Sequence, residues 1–263
     1  MEPTDANIVI TGAASGIGAA MARAFAAEGA GSLWLADLDA AGAEAVAAEI
    51  GSTSTALEVD VSDESSVIEL VRRASADAPI DLFCANAGIA TGAGLEASDE
   101  TWNRIWAVNV MAHVYAARAC LPGWLERGRG HLLVTASAAG LLTNLGDAPY
   151  TATKHAAVGL AEWITITHGD AGVGVSCLCP QGVRTPMVMS GLESDQQAAQ
   201  VVELMGLIEP EVCATAVVDG LRADQFLILP HPEVAEYFRR KATDYDRWLA
   251  GMRRLQARFG PMP

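Results

Sequence analysis

Residues 7–18 read NIVITGAASGIG, a stretch that passes from an apolar run through a glycine-rich loop into a helical pattern. NIVI predicts a buried strand, and helical periodicity follows over 17–28. Glycines at 12, 16 and 18 permit a tight turn, which lets backbone amides approach a phosphate at the positive N-terminal end of the helix. The stretch therefore predicts a phosphate-binding strand–loop–helix unit.

Two common phosphate motifs do not fit this loop. A P-loop needs Gly-Lys where Ile17 and Gly18 stand, and the G-x-G-x-x-G fingerprint needs glycine at Ala14. The spacing found, G-x-x-x-G-x-G, still opens a helix directly after a strand, so the pyrophosphate argument holds. We interpret the loop as a dinucleotide site.

A carboxylate at the end of the second apolar run indicates which dinucleotide binds. Asp37 stands in LWLADLD, where an acid hydrogen-bonds the adenosine ribose hydroxyls. A carboxylate repels a 2′-phosphate, and neither 13–17 nor 38–41 contains Arg or Lys to attract one. The sequence therefore favours NAD(H) over NADP(H).

Further along the chain, short apolar runs alternate with helical patterns. The runs are near-continuous Leu, Val and Ile, as expected of strands buried on both faces. The predicted strands are 7–10, 32–36, 55–59, 81–85, 131–136, 173–178 and 225–229. The predicted helices are 17–28, 41–50, 64–76, 99–120, 150–168 and 210–222. This order predicts one α/β Rossmann-type domain over 1–263, a doubly wound seven-stranded parallel sheet with helices on both faces.

Two segments lie outside the regular alternation, whose core covers about 6–229. Residues 181–209 form a long connection, and connections of this length are usually lids or binding segments. Residues 231–258 predict a charged C-terminal helix with one apolar face. We expect that helix to lie against a partner subunit or to cover the mouth of a substrate site.

Composition narrows the class of protein. The chain has 263 residues, a formal net charge of −15 and 51% hydrophobic residues, which predicts a globular protein and argues against a nucleic-acid partner. Five scattered cysteines do not suggest disulfides, and Cys177 and Cys179 lack the further ligands that a metal site needs. No secretory signal and no membrane-spanning run is evident, so we expect a cytoplasmic protein.

A second motif indicates a catalytic site that transfers protons. Tyr150 and Lys154 stand four residues apart in PYTATK, on one face of a predicted helix. A nearby ammonium favours tyrosinate and would lower the pKa of the phenol. Ser137, in VTASAAG, follows the fifth strand, where doubly wound sheets bind ligands.

With these motifs the sequence resembles the classical short-chain dehydrogenases/reductases over roughly 6–229. TGAASGIG matches the family's TGxxxGxG, NAG stands at 86–88, VNV surrounds Asn109, and YTATK supplies YxxxK. The resemblance implies a catalytic tetrad of Asn109, Ser137, Tyr150 and Lys154. It implies cofactor contacts from Gly12, Ser15, Gly16, Ile17, Gly18, Asp37, Asp60, Val61, Asn86, Ala87, Gly88, Tyr150, Lys154, Val183 and Thr185. In PQGVRT, Gln181 replaces the family's usual glycine beside the nicotinamide.

The resemblance also implies a reaction and an assembly. Hydride transfer would interconvert a secondary alcohol and a ketone, and the protein would be a homotetramer or homodimer paired through 99–120 and 150–168. Apolar residues in the variable segments predict a mainly hydrophobic substrate; they are Leu141, Leu142, Leu145, Met187, Val188, Met189 and Leu192. Asn144 is the expected polar contact.

Two other functions stay open at this point. One is a catalytically silent NAD-sensing regulatory or scaffold protein, although the intact tetrad argues against it. The other is an epimerase or dehydratase, but such relatives resemble longer chains with a TGxxGxxG loop, which this sequence lacks.

Overall fold

A seven-stranded parallel sheet forms the centre of the protein. The computed structural model describes residues 1–194 and 206–260, without the side chains of 192–194. The strands are β1 (Asn7–Thr11), β2 (Ser32–Asp37), β3 (Ser54–Glu58), β4 (Leu82–Ala85), β5 (Gly130–Thr135), β6 (Val173–Leu178) and β7 (Leu227–Ile228). Their order across the sheet is β3-β2-β1-β4-β5-β6-β7. The predicted doubly wound sheet is confirmed, with β7 shorter than expected.

Alternate residues of the central strands enter two separate cores, one on each face of the sheet. Ile8 and Ile10 of β1 pack with Phe25 into one core, whereas Val9 packs with Phe83 into the other. Full burial of such side chains stabilises the fold by about 1.5–3 kcal/mol each. The unbroken apolar runs in the sequence follow from this burial on both faces.

Helices cover both faces and extend beyond the last strand. They are α1 (Gly16–Ala27), α2 (Ala40–Ile50), α3 (Glu64–Ala74), α4 (Asp99–Trp106), α5 (Ala112–Arg127), α6 (Ala148–His168), α7 (Pro186–Ser194), α8 (Pro210–Arg222), α9 (Glu233–Thr243) and α10 (Tyr245–Phe259). Helices α1, α2 and α8 supply one core, while α3, α5 and α6 supply the other.

The helix predicted over 99–120 has a different form. A π-helical turn, Ala107–Met111, joins α4 to α5, and α5 continues through Pro122 to a left-handed cap at Gly128 (φ 65°). Trp124 explains the extension, because its buried indole Nε1 donates to the carbonyl oxygen of Ile80 at 2.8 Å. This tertiary contact outweighs the helix-breaking tendency of proline.

The two segments outside the alternation also differ from expectation. The single helix predicted over 231–258 is wrong, because Asp244 has extended backbone (φ −149°, ψ 91°) and its side chain caps α10 by accepting from the Arg247 amide. Segment 181–209 contains α7, and Val183 pairs with Ile208 in a short parallel bridge. Residues 195–205 lie outside the described part of the chain.

Candidate active site

A cleft of about 490 Å³ opens at the carboxyl ends of the strands, where β1 and β4 lie side by side. Ligands bind doubly wound sheets at this switch in strand order. Predicted site residues that line it are Gly12, Ser15, Gly16, Ile17, Asp37, Asp60, Val61, Asn86, Ala87, Gly88, Ser137, Tyr150, Lys154, Val183 and Thr185. Gly18 and Asn109 do not line the cleft; both are buried.

The glycine loop has the geometry that its sequence predicts. Gly12 and Gly16 adopt positive φ angles of 67° and 53°, which disfavour any side chain. A Cβ at Gly18 would overlap the carbonyl of Gly12, so Gly18 allows α1 to pack tightly against the loop. In the described structure Ser15, the N-cap, makes no side-chain hydrogen bond to the helix, and the first turn has no acid. The helix N-terminus is thus free to receive an anion.

Asp37 braces the same loop. Its Oδ2 accepts from the Ala14 amide at 2.9 Å and its Oδ1 from the Asp39 amide at 3.0 Å. These bonds fix the carboxylate at the β2 end of the cleft, which Leu38, Asp60 and Val61 also line. This end suits the adenosine half of a dinucleotide.

The middle of the cleft is held by Asn86. Its Nδ2 donates to the Thr11 carbonyl at 3.0 Å, and its backbone amide donates to Thr11 Oγ1 at 3.0 Å. A Cβ at Gly12 would approach Ala87 Cα to 2.9 Å. The NAG segment therefore packs directly on the glycine loop, and its small residues keep the cleft open.

Asn109 sits in the π-helical turn, fully buried. Its Oδ1 accepts from the Ile89 amide at 2.9 Å, and its Nδ2 donates to the Ile89 carbonyl at 2.9 Å and to Thr153 Oγ1 at 3.2 Å. The regular α-helical hydrogen bonding is interrupted at this residue. Asn109 thus links the segment after β4 to the helix that carries Tyr150 and Lys154.

Lys154 and Tyr150 share one end of the cleft. Lys154 Nζ donates to the Thr135 carbonyl at 3.0 Å and lies 5.5 Å from the centroid of the Tyr150 ring. Burial lowers the pKa of Lys154 to about 8. Because this pKa is close to neutral pH, Lys154 can take part in proton exchange.

The pKa of Tyr150 departs from the sequence prediction. Burial raises it, the Ser137 hydroxyl opposes that rise, and Asp147 and Cys179 add to it. The pKa is therefore shifted upward and not in the expected downward direction, and loss of solvation is the largest cause of the shift.

Ser137 is held at the same end by the segment after β6. Its Oγ donates to the Pro180 carbonyl at 3.3 Å and accepts from the Ala139 amide at 3.1 Å. The neighbouring Gln181 amide donates to Nδ1 of His231 at 3.1 Å. The segment carrying Gln181 in place of glycine is thus supported by a buried histidine.

Several residues around this site were not predicted from the sequence, and three of them have charged or titratable side chains. Asp147 is buried and accepts from Thr91, Gly92 and Tyr150; as an acid shortly before Pro149, it has an N-cap signature that could have been recognised. Arg104 lines the cleft from α4. His231 had no local signal, because its partner is 50 residues away.

The predicted apolar rim is correct only in part. Met187 and Val188 line the cleft, whereas Leu141 and Leu142 are buried in the core with α6. A run of leucines in sequence does not distinguish a pocket wall from core packing. The side chain of Leu192 lies outside the described residues.

Comparison with known proteins places this chain and its fold in a family. The family model for short chain dehydrogenases matches residues 6–196. The 1-deoxy-11-beta-hydroxypentalenate dehydrogenase of Streptomyces exfoliatus is 37% identical over 233 residues, 86% of this chain and 82% of its own. The 3beta-hydroxysteroid dehydrogenase 2 of Eggerthella lenta is 35% identical over 184 residues, 67% of this chain and 70% of its own.

A solved structure with a similar fold also belongs to this family. A short chain dehydrogenase/reductase from Burkholderia phymatum in complex with NAD has a TM-score of 0.85 and 30% identity, covering 94% of this chain and 96% of that one. The chain belongs to the short-chain dehydrogenase family. It is an oxidoreductase that acts on CH–OH donors with a nicotinamide dinucleotide, and the silent regulatory alternative is not supported.

None of the helices within 1–194 and 206–260 combines the length and hydropathy of a membrane span.

Proposed function

We propose that the protein is an NAD-dependent dehydrogenase that interconverts a mainly hydrophobic secondary alcohol and its ketone. One observation carries the proposal: Ser137, Tyr150 and Lys154 line one end of a cleft whose other end is lined by the glycine loop and Asp37. Side chains suited to proton transfer and groups suited to binding a dinucleotide thus line one continuous cavity, which supports the proposal.

Each catalytic group has a role that its position supports. The cofactor, when bound, supplies the nicotinamide C4 that accepts or returns a hydride. Tyr150 takes the hydroxyl proton during oxidation and returns it during reduction, while Ser137 hydrogen-bonds the same oxygen and stabilises its developing charge. Lys154 stabilises the phenolate electrostatically and holds the nicotinamide ribose. Asn109 positions the helix that carries both.

The cofactor-binding groups suit NAD. The amides at the start of α1 would hold the pyrophosphate, and Asp37 would hold the adenosine ribose. Asp60 and Val61 would contact the adenine, and Val183 and Thr185 would hold the nicotinamide end. The Asp37 carboxylate already accepts two backbone amides, so its position and charge disfavour a 2′-phosphate. NAD is accordingly the proposed cofactor.

The substrate class rests on the cleft and on the relatives. Met187 and Val188 line the same cleft as the catalytic residues, and Met187 is exposed. The relatives reported above are named for a hydroxypentalenate and a hydroxysteroid. A hydrophobic secondary alcohol fits both observations.

We further propose a single-domain homo-oligomer, a dimer or tetramer, that works in the cytoplasm. Trp163 and Ile166 on α6 are 58% and 84% exposed, so this helix offers an apolar face for a second copy. The five cysteines are free and buried, as suits a reducing compartment. Light scattering of the purified protein measures the oligomeric state, and a monodisperse monomer would contradict the assembly.

The first experiment is NAD reduction by the purified protein across a panel of secondary alcohols, repeated with NADP and with Tyr150→Phe. The expected result is NAD-dependent turnover of bulky apolar alcohols that disappears in the variant. Turnover of small polyols alone would reject the substrate class, and equal activity of Tyr150→Phe would reject the mechanism.

A further inference from the structure

Lys241 is a buried lysine in α9, the first of the two C-terminal helices. Only 6% of it is exposed, and its Nζ donates to the carbonyls of Leu141 and Leu142 at 2.8 and 2.9 Å. A third contact, at 3.5 Å, joins Nζ to Nε2 of His155. The ring of Tyr245, the first residue of α10, covers the ammonium with its centroid at 5.4 Å. Within the described residues Lys241 has no ion pair.

The contacts of Lys241 join the two parts of the catalytic centre. Leu141 and Leu142 directly follow the 3-10 turn Ala138–Gly140, which Ser137 caps. His155 follows Lys154 on α6, and its Nδ1 bonds the Thr151 carbonyl at 2.9 Å, which leaves Nε2 as the acceptor for Lys241. One ammonium therefore contacts the Ser137 turn and the helix of Tyr150.

A lysine at this place is informative because an apolar side chain could fill the same buried position without desolvating a charge. Unlike an apolar side chain, the ammonium makes directional hydrogen bonds, and these fix the positions of two adjacent carbonyls and one imidazole. The same turn is otherwise held by local bonds from the Leu141 and Leu142 amides to the Ala138 carbonyl. It is also held by the Ala138 amide and the Ser137 Oγ, which both donate to the Pro180 carbonyl.

We propose that Lys241 is a positioning residue, through which the C-terminal helices set the placement of Ser137 relative to Tyr150. The inference rests on the proposed function, because these two hydroxyls must meet the same substrate oxygen. A small displacement of either group lowers the rate steeply, whereas cofactor binding at the far end of the cleft is unaffected.

The test compares Lys241→Met with Arg240→Met. Arg240 is the adjacent residue of α9, exposed and ion-paired to Glu236, so it is a matched control. Lys241→Met should lower kcat/KM for the alcohol by about 10-fold and leave the Kd for NAD within about twofold. Lys241→Arg should lose less, about threefold, since it retains charge and donors. Equal kcat/KM in all three variants and the wild type would overturn the proposal.

A double-mutant cycle identifies the route of the effect. If Lys241 acts through Ser137, then Lys241→Met should have little further effect in a Ser137→Ala background. Fully additive losses would overturn the proposal, because they would indicate an effect independent of Ser137.

Hydrogen exchange supplies a readout that needs no substrate. In Lys241→Met, amides of 138–142 should exchange about 10-fold faster, while those of β1 and α1 keep their wild-type rates. Faster exchange in Lys241→Met, without any alcohol turnover by the wild type, would support the positioning role of Lys241 and reject the proposed function. Unchanged exchange in a folded variant would reject the positioning role and leave the proposed function in place. If Lys241→Met does not fold, Lys241→Arg carries the same comparison.

Discussion

At the scale of single residues, two neighbouring features shift the pKa of the Tyr150 phenol in opposite directions. Burial raises its pKa and the Ser137 hydroxyl lowers it. A phenol whose pKa is raised stays protonated at neutral pH, which suits it to donate a proton to a ketone. Alcohol oxidation instead needs the phenolate, and this form gains population as pH rises.

The pH dependence of the two directions should therefore be opposite. We expect kcat/KM for alcohol oxidation to rise from neutral to alkaline pH, and kcat/KM for ketone reduction to fall over the same range. Tyr150→Phe should lower both by about 10²–10⁴-fold. Steady-state rates in both directions across pH measure this. Parallel profiles would contradict the assigned role of Tyr150.

Asp37 allows a second test at this scale. Asp37→Asn removes the charge but keeps an oxygen that can accept from the Ala14 amide. We expect kcat/KM for NAD to fall and that for NADP to rise, together shifting the preference about 10-fold or more toward NADP, because repulsion of the 2′-phosphate is lost. Asp39→Asn is the control, since Asp39 caps α2 through the Gly42 amide. An equal shift in that control would show a general charge effect.

At the scale of elements, Asp147 connects the start of α6 to the segment after β4. Its Oδ1 accepts from the Tyr150 amide and Thr91 Oγ1, and its Oδ2 accepts from the Thr91 and Gly92 amides, all at 2.7–2.9 Å. The carboxylate is buried, so losing it leaves several donors unsatisfied.

Asp147→Ala should lower the free energy of unfolding by about 3–5 kcal/mol. The comparison is Asp63→Ala, an exposed N-cap of α3 that should cost about 1 kcal/mol. Urea unfolding of both variants measures the difference. Equal losses would show that Asp147 acts as an ordinary helix cap.

The elements also show how far the sequence can be interpreted alone. Strand positions could be predicted because strands buried on both faces leave unbroken apolar runs. The glycine loop and Asp37 could be predicted because their spacing is local. The end of α5 depends on Trp124 bonding Ile80, and the support of Gln181 depends on His231. Such contacts join distant positions and leave no local pattern.

At the scale of the whole molecule, acid affects two opposing contributions to stability. The formal net charge of −15 means that protonation relieves repulsion among carboxylates, and salt screens this effect. Buried histidines act in the other direction. Burial lowers the pKa of His113 to about 3 and of His131 to about 4.

These two histidines should make the protein less stable as pH falls. Both remain neutral in the native state and bind protons in the unfolded state below about pH 6.5, so the unfolded state gains stability. Between about pH 6 and 4 each contributes a slope of up to about 1.4 kcal/mol per pH unit, and the two together up to about 3 kcal/mol per pH unit. Because salt screens surface repulsion, we expect the histidine contribution to be the larger one in moderate salt, so that the free energy of unfolding falls over that range.

His113→Leu tests the assignment. Neither ring nitrogen of His113 has a partner within the described structure, so leucine removes the titration without breaking a hydrogen bond there. Urea unfolding at about pH 8, 7, 6, 5 and 4 should show that the variant loses up to about 1.4 kcal/mol per pH unit of the acid slope, while the slope between about pH 8 and 7 stays the same. A wild-type slope retained in full would mean that other groups bind the protons. His113 would then not be one of the groups that limit the acid stability of this fold.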